Sequence, residues 1–414
     1  MNTLLTIESI TFEALRVLTN ALTFTGLVNR QFDNAFGKSG AKVGDVIYAR
    51  KPPRYTIRKG AGIQPQATTE TRQAVKMDNL IGIDLPFSGV ERTLSLDNYA
   101  DRVLKPAMAT IANQIDYDGL QLYKEVYNMV GTPGTTPTST TCNEVYLGAG
   151  VKLDDMSAPQ DERRALVITP TMHASAVSAN SALFNPQQLI SDSFRKGRFG
   201  RQTLGFDWYM DQNCPTHTTG TRTGTNGATW QTYGADQTGS TFIIDGLSGS
   251  DTIKKGDVFT IGTIAAGTGV QSVNPQSRQA TGSLQQFTVL ADVTSTGATE
   301  TLSISPAITA SGQFQTVDRS PANDAVITFA AASAKVYREG LAFHRDAFTL
   351  VTAQLELPKG VHEASYAGDE DTGVGIRVVT AFDIRTNEMI TRFDALYGWA
   401  CLRPELACRV ASAA

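Results

Sequence analysis

The chain has 414 residues, a formal net charge of -4, 41% hydrophobic residues and only 18% charged ones. That length leaves room for two or three domains of about 150 residues each, and the apolar content is ordinary for a chain that builds a core. The mild acidic excess excludes a global basic field for nucleic acid, and no apolar run approaches the ~18 residues that span a bilayer.

Thr, Ser, Gly and Ala replace the missing charge, a composition that favours β-structure with polar turns over a charged helical bundle. The opening stretch, MNTLLTIESITFEALRV, has no basic residue before Arg16 and carries Glu8 and Glu13. A secretory signal needs a basic start and an unbroken apolar stretch, so synthesis and folding in a cytoplasm are expected. Residues 1–36 read as an N-terminal arm holding a short amphipathic helix, with Thr11 as its cap and Leu15, Leu18 and Leu22 on one face. Such a helix serves either the subunit's own core or an arm laid on a neighbouring chain.

The next segment, GKSGAKVGDVIYARKPPRYTIRKGAG, holds Lys38, Lys42, Arg50, Lys51, Arg54, Arg58 and Lys59 against one acid, Asp45. Alternation over 46–50 and 54–58 predicts two strands, with Pro52-Pro53 between them. A lone hairpin is at best marginally stable in water, and a basic one seeks an acidic partner surface. A solvated charged loop is the plain alternative. Nucleic-acid contact is a third, weakened because Tyr48 and Tyr55 are its only aromatics.

DNYADRVLKPAMATIANQIDYDGLQLYKEVYNMVG then predicts one long helix capped by Asp97. Leu104, Met108, Ile111, Ile115, Leu122 and Val126 recur at helical steps, while Asp101, Lys105, Asp116 and Lys124 take other faces. Pro106 suits a first turn. From residue 106 to 130 the helix would be about 38 Å long at 1.5 Å per residue, stopping at Gly131. Gly119 inside it costs roughly 1 kcal/mol against Ala and marks a bend or a close crossing.

Residues 146–212 mix short elements: a buried strand over 165–168 closed by Thr169-Pro170, a helix over 172–180, and a basic loop with Arg195, Lys196, Arg198 and Arg201. From Asn213 to Lys335 the chain turns Thr- and Gly-rich, with short strands at 242–244, 258–261, 287–290, 302–304 and 325–329. That spacing predicts a small sandwich or barrel set into the chain. The close returns to long strands, with Phe393, Ala395, Tyr397, Trp399 and Cys401 alternating onto one face and Asn387 near a turn.

No motif points to catalysis. His173, His217, His344 and His362 show no ligand spacing, and GxSxG, P-loop and HExxH patterns do not occur. A triad through His344 and Asp346 has nothing to favour it. Asp369, Glu370 and Asp371 lack the alternation of an ion-wrapping loop. Cys142, Cys214, Cys401 and Cys408 form no CxxC pair and read as buried thiols. No cofactor is expected.

Taken in order, these segments resemble the major capsid protein of tailed bacteriophages, the Hong Kong 97 fold, and more closely the P-twenty-two-like coat proteins, which carry an inserted β-domain. The matching stretches are NQIDYDGLQLYKEV, GRFGRQTLGFDWYMDQNCPTHTTG, IKKGDVFTI, TLSISPAIT and FDALYGWACLRPELACRV. The resemblance implies an α+β chain without catalytic or metal-binding residues. Its parts would be an arm (1–36), an extended loop (37–80), a peripheral domain with a spine helix (81–145), an axial domain (146–212), an inserted all-β, barrel-like domain (213–335), and return strands (336–414). Many copies, as hexamers and pentamers, would form an icosahedral shell around double-stranded DNA held non-specifically, with no membrane. A scaffolding protein and a portal protein would be assembly partners, and the product a virion assembled in host cytoplasm. The seven basic residues of the loop would contact a neighbouring subunit. The arm leucines would contact a neighbour or scaffold, and the periodic residues of the spine would pack it. A β-rich adhesin or tail-fibre protein is the alternative, which predicts repeats that the sequence lacks. A carbohydrate-active enzyme would need a distinct carboxylate pair.

Overall fold

The computed structural model describes residues 7–30, 46–58, 60, 62–63, 65–66, 68, 70–87, 100–138, 140–180, 203–353, 355–369, 373–383 and 388–414. Two compact units divide the chain. The first takes residues 1–51, 72–119 and 348–402; the second takes 52–71, 120–347 and 403–414.

In the first unit an antiparallel sheet is organised by one long strand, Glu388–Cys401. Along one edge this strand pairs with Asn79–Phe87 (Ile83↔Phe393), and its last residues also pair with Phe348–Thr352 (Phe348↔Cys401). Its other edge takes Val374–Asp383, which carries Glu363–Asp369 outside it. The expected alternation holds for Phe393, Ala395, Tyr397 and Cys401, which are buried. Asp394, Leu396 and Ala400 between them are buried too, so the strand is covered on both faces rather than one. Leu396 and Ala400 pack with Ala49, Val75, Met77 and Val351.

Helix α1, Ile7–Ala21, lies against the strands 363–369 and 374–383 and buries Ala14, Leu15 and Leu18. Thr11 is not its cap. It sits inside the helix, where its hydroxyl donates back to the Ile7 carbonyl at 2.6 Å. A single turn, α2 (Phe24–Leu27), follows.

The helix expected as the spine is α3, Lys105–Leu120, preceded by a π turn over Ala100–Leu104 and tightened into a 3-10 turn over Gln121–Glu125. Pro106 stands in its first turn as expected; Asp97 lies outside the described residues. The helix ends earlier than its apolar periodicity suggests. Val126 is already extended, and Met129–Val130 is a strand pairing in parallel with Ala407–Ala411. Gly131 therefore turns the chain, at φ +83°, after a strand and not after a helix. Leu104, Met108, Ile111 and Ile115 are buried as expected, as is Val126 beyond the helix, while Leu122 is half-buried.

The second unit holds a mixed sheet in the order 129–130, 407–411, 336–344, 164–168, 207–210. Helices α4 (Cys142–Asp155) and α5 (Pro170–Ala179) accompany it. Thr169 caps α5, its hydroxyl accepting from the Met172 N–H at 3.2 Å. Residues 219–335 leave and re-enter through neighbouring strands: Thr216–Thr218 pairs antiparallel with Val336–Arg338, His217 opposite Tyr337. Between those ends, strands run in the order 327–329, 258–261, 286–289, 300–308, 239–245, 231–232. Trp230, Phe242, Phe259, Phe287, Leu302 and Phe329 share their apolar core. Of the five short strands read in the sequence of this segment, 242–244, 258–261 and 302–304 fall within observed ones, while 287–290 overruns the strand 286–289 by one residue and 325–329 starts two residues before the strand 327–329.

Candidate assembly surfaces

The basic segment forms a hairpin with a different partner from the expected one. Val46–Arg50 pairs not with residues 54–58 but with Arg72–Lys76, Val46 opposite Lys76 and Arg50 opposite Arg72. Pro52 and Pro53 explain this: neither has an N–H for a ladder, and both fix φ, so residues 51–58 carry no strand. The ribbon's base is anchored by Ala49 and Val75 in the core beside Leu396, and the Arg72 guanidinium lies 5.4 Å from the Tyr48 ring centroid.

The basic residues expected to reach a neighbour divide into three groups. Lys38, Lys42 and Lys59 lie outside the described residues. Arg50 is exposed and Lys51 half-exposed. Arg54 and Arg58 are engaged inside their own chain: Arg54 pairs with Glu405 at 3.3 Å, and Arg58 donates to the Gly62 carbonyl at 2.7 Å and to that of Gly60. Arg278 donates to the Tyr55 carbonyl at 3.4 Å. The open surface of this stretch includes large apolar side chains, with Ile57 and Ile63 each 89% exposed and Tyr55 56%. Charge counting along the sequence missed those isoleucines.

The arm leucines also differ from expectation. Leu15 and Leu18 are buried within the subunit, so the core reading of α1 holds for them. Leu22 lies beyond the helix, half-buried. The large apolar side chain open on α1 is Phe12, 64% exposed.

Asp116, placed on a face other than the apolar one, is 3% exposed. Its carboxylate accepts from the N–H groups of Thr23 (2.7 Å), Phe24 (3.2 Å) and Thr25 (2.9 Å), and from the Thr25 hydroxyl (2.6 Å). It thus caps α2, a helix whose N-cap Thr23 makes no side-chain bond of its own. Gly119 lies one turn on. A Cβ there would meet Trp399 at 2.7 Å and Phe24 at 2.8 Å, so this glycine permits the close crossing expected of it.

A second polar assembly is buried in the second unit. His217 bridges the Tyr123 hydroxyl and Asp257, each at 3.0 Å. Asp257 also accepts from Arg222 (2.8 Å) and from the N–H groups of Lys254 (3.0 Å) and Gly220 (3.2 Å). Burial works to raise this carboxyl, but the His217 hydrogen bond and the Arg222 charge outweigh it and hold it below the usual carboxylate range. Arg409, fully buried, donates to the carbonyls of Val126 and Gly256 at 2.8 Å each, to Thr288 Oγ1 at 3.1 Å and to Glu339 at 3.2 Å. These bonds join the residues after the spine, the segment 219–335 and the strand 336–344. The sequence signal was a charge set in an apolar strand, in YREGLAF and LACRVAS.

None of these groups is arranged for catalysis. His344 is 1% exposed; Nε2 meets Asp161 at 2.9 Å, and Nδ1 accepts the Asp346 N–H at 3.3 Å. Both ring nitrogens are occupied without a serine. The four cysteines are free and buried, and burial pushes Cys142 up to about 11 and Cys408 up to about 12. No cluster of three metal-ligating side chains occurs among the described residues, and no helix there is long and apolar enough to cross a membrane.

A profile of the family described as "P22 coat protein - gene protein 5" matches residues 70–409. The chain belongs to the P22 coat protein family. It is a major capsid protein, a structural subunit that self-assembles into a phage shell, and its place is the virion. The match spans both units of this coat protein. No protein in the curated set matches it. Similar solved structures include one titled for Mycobacterium phage Che8, 13% identical over 94% of this chain and 90% of that one, with a TM-score of 0.46. The capsid of cyanophage P-SCSP1u is 11% identical over 95% and 88%, TM-score 0.45. That of Ralstonia phage GP4 is 9% identical over 95% and 88%, TM-score 0.42.

Proposed function

We propose that this coat protein builds an icosahedral shell of hexamers and pentamers through a Hong Kong 97-type subunit. In this reading the first unit is the peripheral domain with its arm and spine helix. The hairpin 46–76 is the extended loop. Residues 146–212 form the axial domain, and 213–335 an inserted, barrel-like β-domain. Backbone bonds from Thr232 to Ala325 and from Ile327 to Trp230 link the two outermost strands of its sheet, which supports a closed barrel. The shell would enclose double-stranded DNA held without sequence preference, and a net charge of -4 suits a container that does not grip its cargo. A scaffolding protein and a portal would act during assembly in the host cytoplasm.

The observation that carries this reading is the hairpin. It is rooted in the sheet's core by Ala49 and Val75, yet it leads into a stretch whose isoleucines are 89% exposed. Large apolar side chains exposed close together along one stretch support an interaction surface there. Electron microscopy of the purified chain, alone and with the protein encoded beside it, tests the reading. Closed round particles or curved sheets tens of nanometres across are expected; discrete monomers or slender trimers in both samples would refute it.

A further inference from the structure

Helix α4 has two apolar stripes. Cys142, Tyr146, Ala149 and Leu153 face the subunit's core and are buried. Leu147 and Val151, one turn apart, are 48% and 56% exposed. With Gly150 and Phe206 they line a groove of about 640 Å³, walled by the Leu204-Gly205 turn, both of whose residues have positive φ. The rim is polar: Asp154, Gln160, Glu162 and Arg164. Arg164 contributes no free cation, because it pairs with Asp154 at 2.7 Å and donates to the carbonyls of Pro159 and Ala158. Exposed Glu162 has no ion-pair partner among the described residues. The groove therefore offers an apolar floor and an acidic margin, and suits a branched apolar side chain with a basic neighbour.

This chain carries such a group. Ile57 is 89% exposed and adjoins exposed Arg58, whose guanidinium is held in place by the carbonyls of Gly60 and Gly62. With that exposure, Ile57 does not occupy its own subunit's groove. We propose that the α4 groove seats the Ile57 tip of the extended loop from a second copy of the coat protein, with Arg58 facing the Glu162 margin. This rests on the shell reading and names the surface that receives the loop. Tip and groove are different patches, so the contact is heterologous and propagates around a closed ring.

The test uses the full-length coat protein with Ile57→Cys and Val151→Cys together. The native thiols are all buried, so the engineered pair dominates mild oxidation. Assembled shells should then give covalent dimers and higher multimers on non-reducing gels, absent from either single variant. In parallel, Val151→Asp should fold with an unchanged melting temperature, since the site is open, and lose shell yield at least tenfold. Double-cysteine shells that give no multimers, together with normal Val151→Asp shells, would overturn the groove assignment while leaving the shell reading intact. Failure of wild type to assemble would strike the shell reading itself. A disulfide formed within single unassembled chains would overturn the proposal by making the occupant the subunit's own loop. Loss of Val151→Asp assembly only when scaffold is present would overturn it in favour of a scaffold site.

Discussion

Replacing Asp116 by Ala removes the acceptor for three backbone N–H groups and one hydroxyl at the start of α2. A hydrogen bond to a charged group contributes about 1.5–3 kcal/mol, and a buried donor left unpaired costs about 1–3 kcal/mol. Thr23 is only half-buried, so water satisfies part of the loss and the total stays below the simple sum. The expected cost of Asp116→Ala is about 3–5 kcal/mol, and of Asp116→Asn, which keeps one oxygen, about 1–2 kcal/mol. Trp399 packs on Phe24 with ring centroids 5.5 Å apart, so its fluorescence reports this joint. With Trp208 and Trp230 replaced by Phe, urea unfolding should show the Trp399 transition falling by more than about 1 M for the Ala variant, at a typical slope of about 1–3 kcal/mol/M. A midpoint within about 0.3 M of the parent would sink the idea that Asp116 is the cap of α2.

Four further outcomes follow from the same geometry. Gly119→Ala should lower the melting temperature despite its gain in helix propensity, because overpacking against Trp399 and Phe24 costs about 1–3 kcal/mol; a stabilised variant would mean that the crossing relaxes freely. Glu339→Gln should destabilise the second unit by about 3–5 kcal/mol by leaving Arg409 charged and buried without its anion, as read by denaturant unfolding through Trp208 and Trp230. Arg54→Glu with Arg58→Glu should change stability by no more than about 1 kcal/mol, since the Arg54–Glu405 pair is part-exposed, yet should impair particle formation by sedimentation; unimpaired particles would remove the loop's charge from assembly. Asp257 has a folded value below its unfolded one near 3.9, so the stability it contributes is present above about pH 4 and is lost as the pH falls further. Asp257→Asn should therefore lower the melting temperature at pH 6 and shrink the difference from wild type by pH 3, and parallel curves would contradict that linkage.

Local pattern made much of the fold legible. Apolar periodicity located α3 because Met108, Ile111 and Ile115 bury one stripe, and turn residues separated the short strands of 219–335 because each buries only two or three side chains. Pairing was not legible. Residues 54–58 alternate as well as 72–76 do, and only the missing N–H groups of Pro52 and Pro53 tell against the nearer partner. The spine's end was misplaced because Val126 continues the apolar period while its backbone is already extended; burial sets that period, and an extended residue satisfies it as well as a helical one. Asp116 looked like a solvent-facing charge because its partners are backbone N–H groups 91 to 93 residues away, which no side-chain pattern encodes.

The polar and apolar groups of this coat protein are distributed against the usual expectation, and function accounts for it. Arg409, Glu339 and Asp257 are all but inaccessible to water, whereas Ile57 and Ile63 are almost fully open. A buried ion pair is a weak source of net stability, because desolvation offsets most of its attraction. Its directional bonds, however, penalise every arrangement that leaves a partner unpaired. Placed where the spine's end, the segment 219–335 and the strand 336–344 meet, they select one seating of those elements over near alternatives of similar apolar burial. In the proposed shell contact, burying the open isoleucines against a neighbour removes apolar surface that the free subunit leaves in water. A chain meant to remain monomeric gains nothing from that placement. In the proposed shell, the subunit gains a contact that forms with a neighbour and a fixed internal geometry to present it.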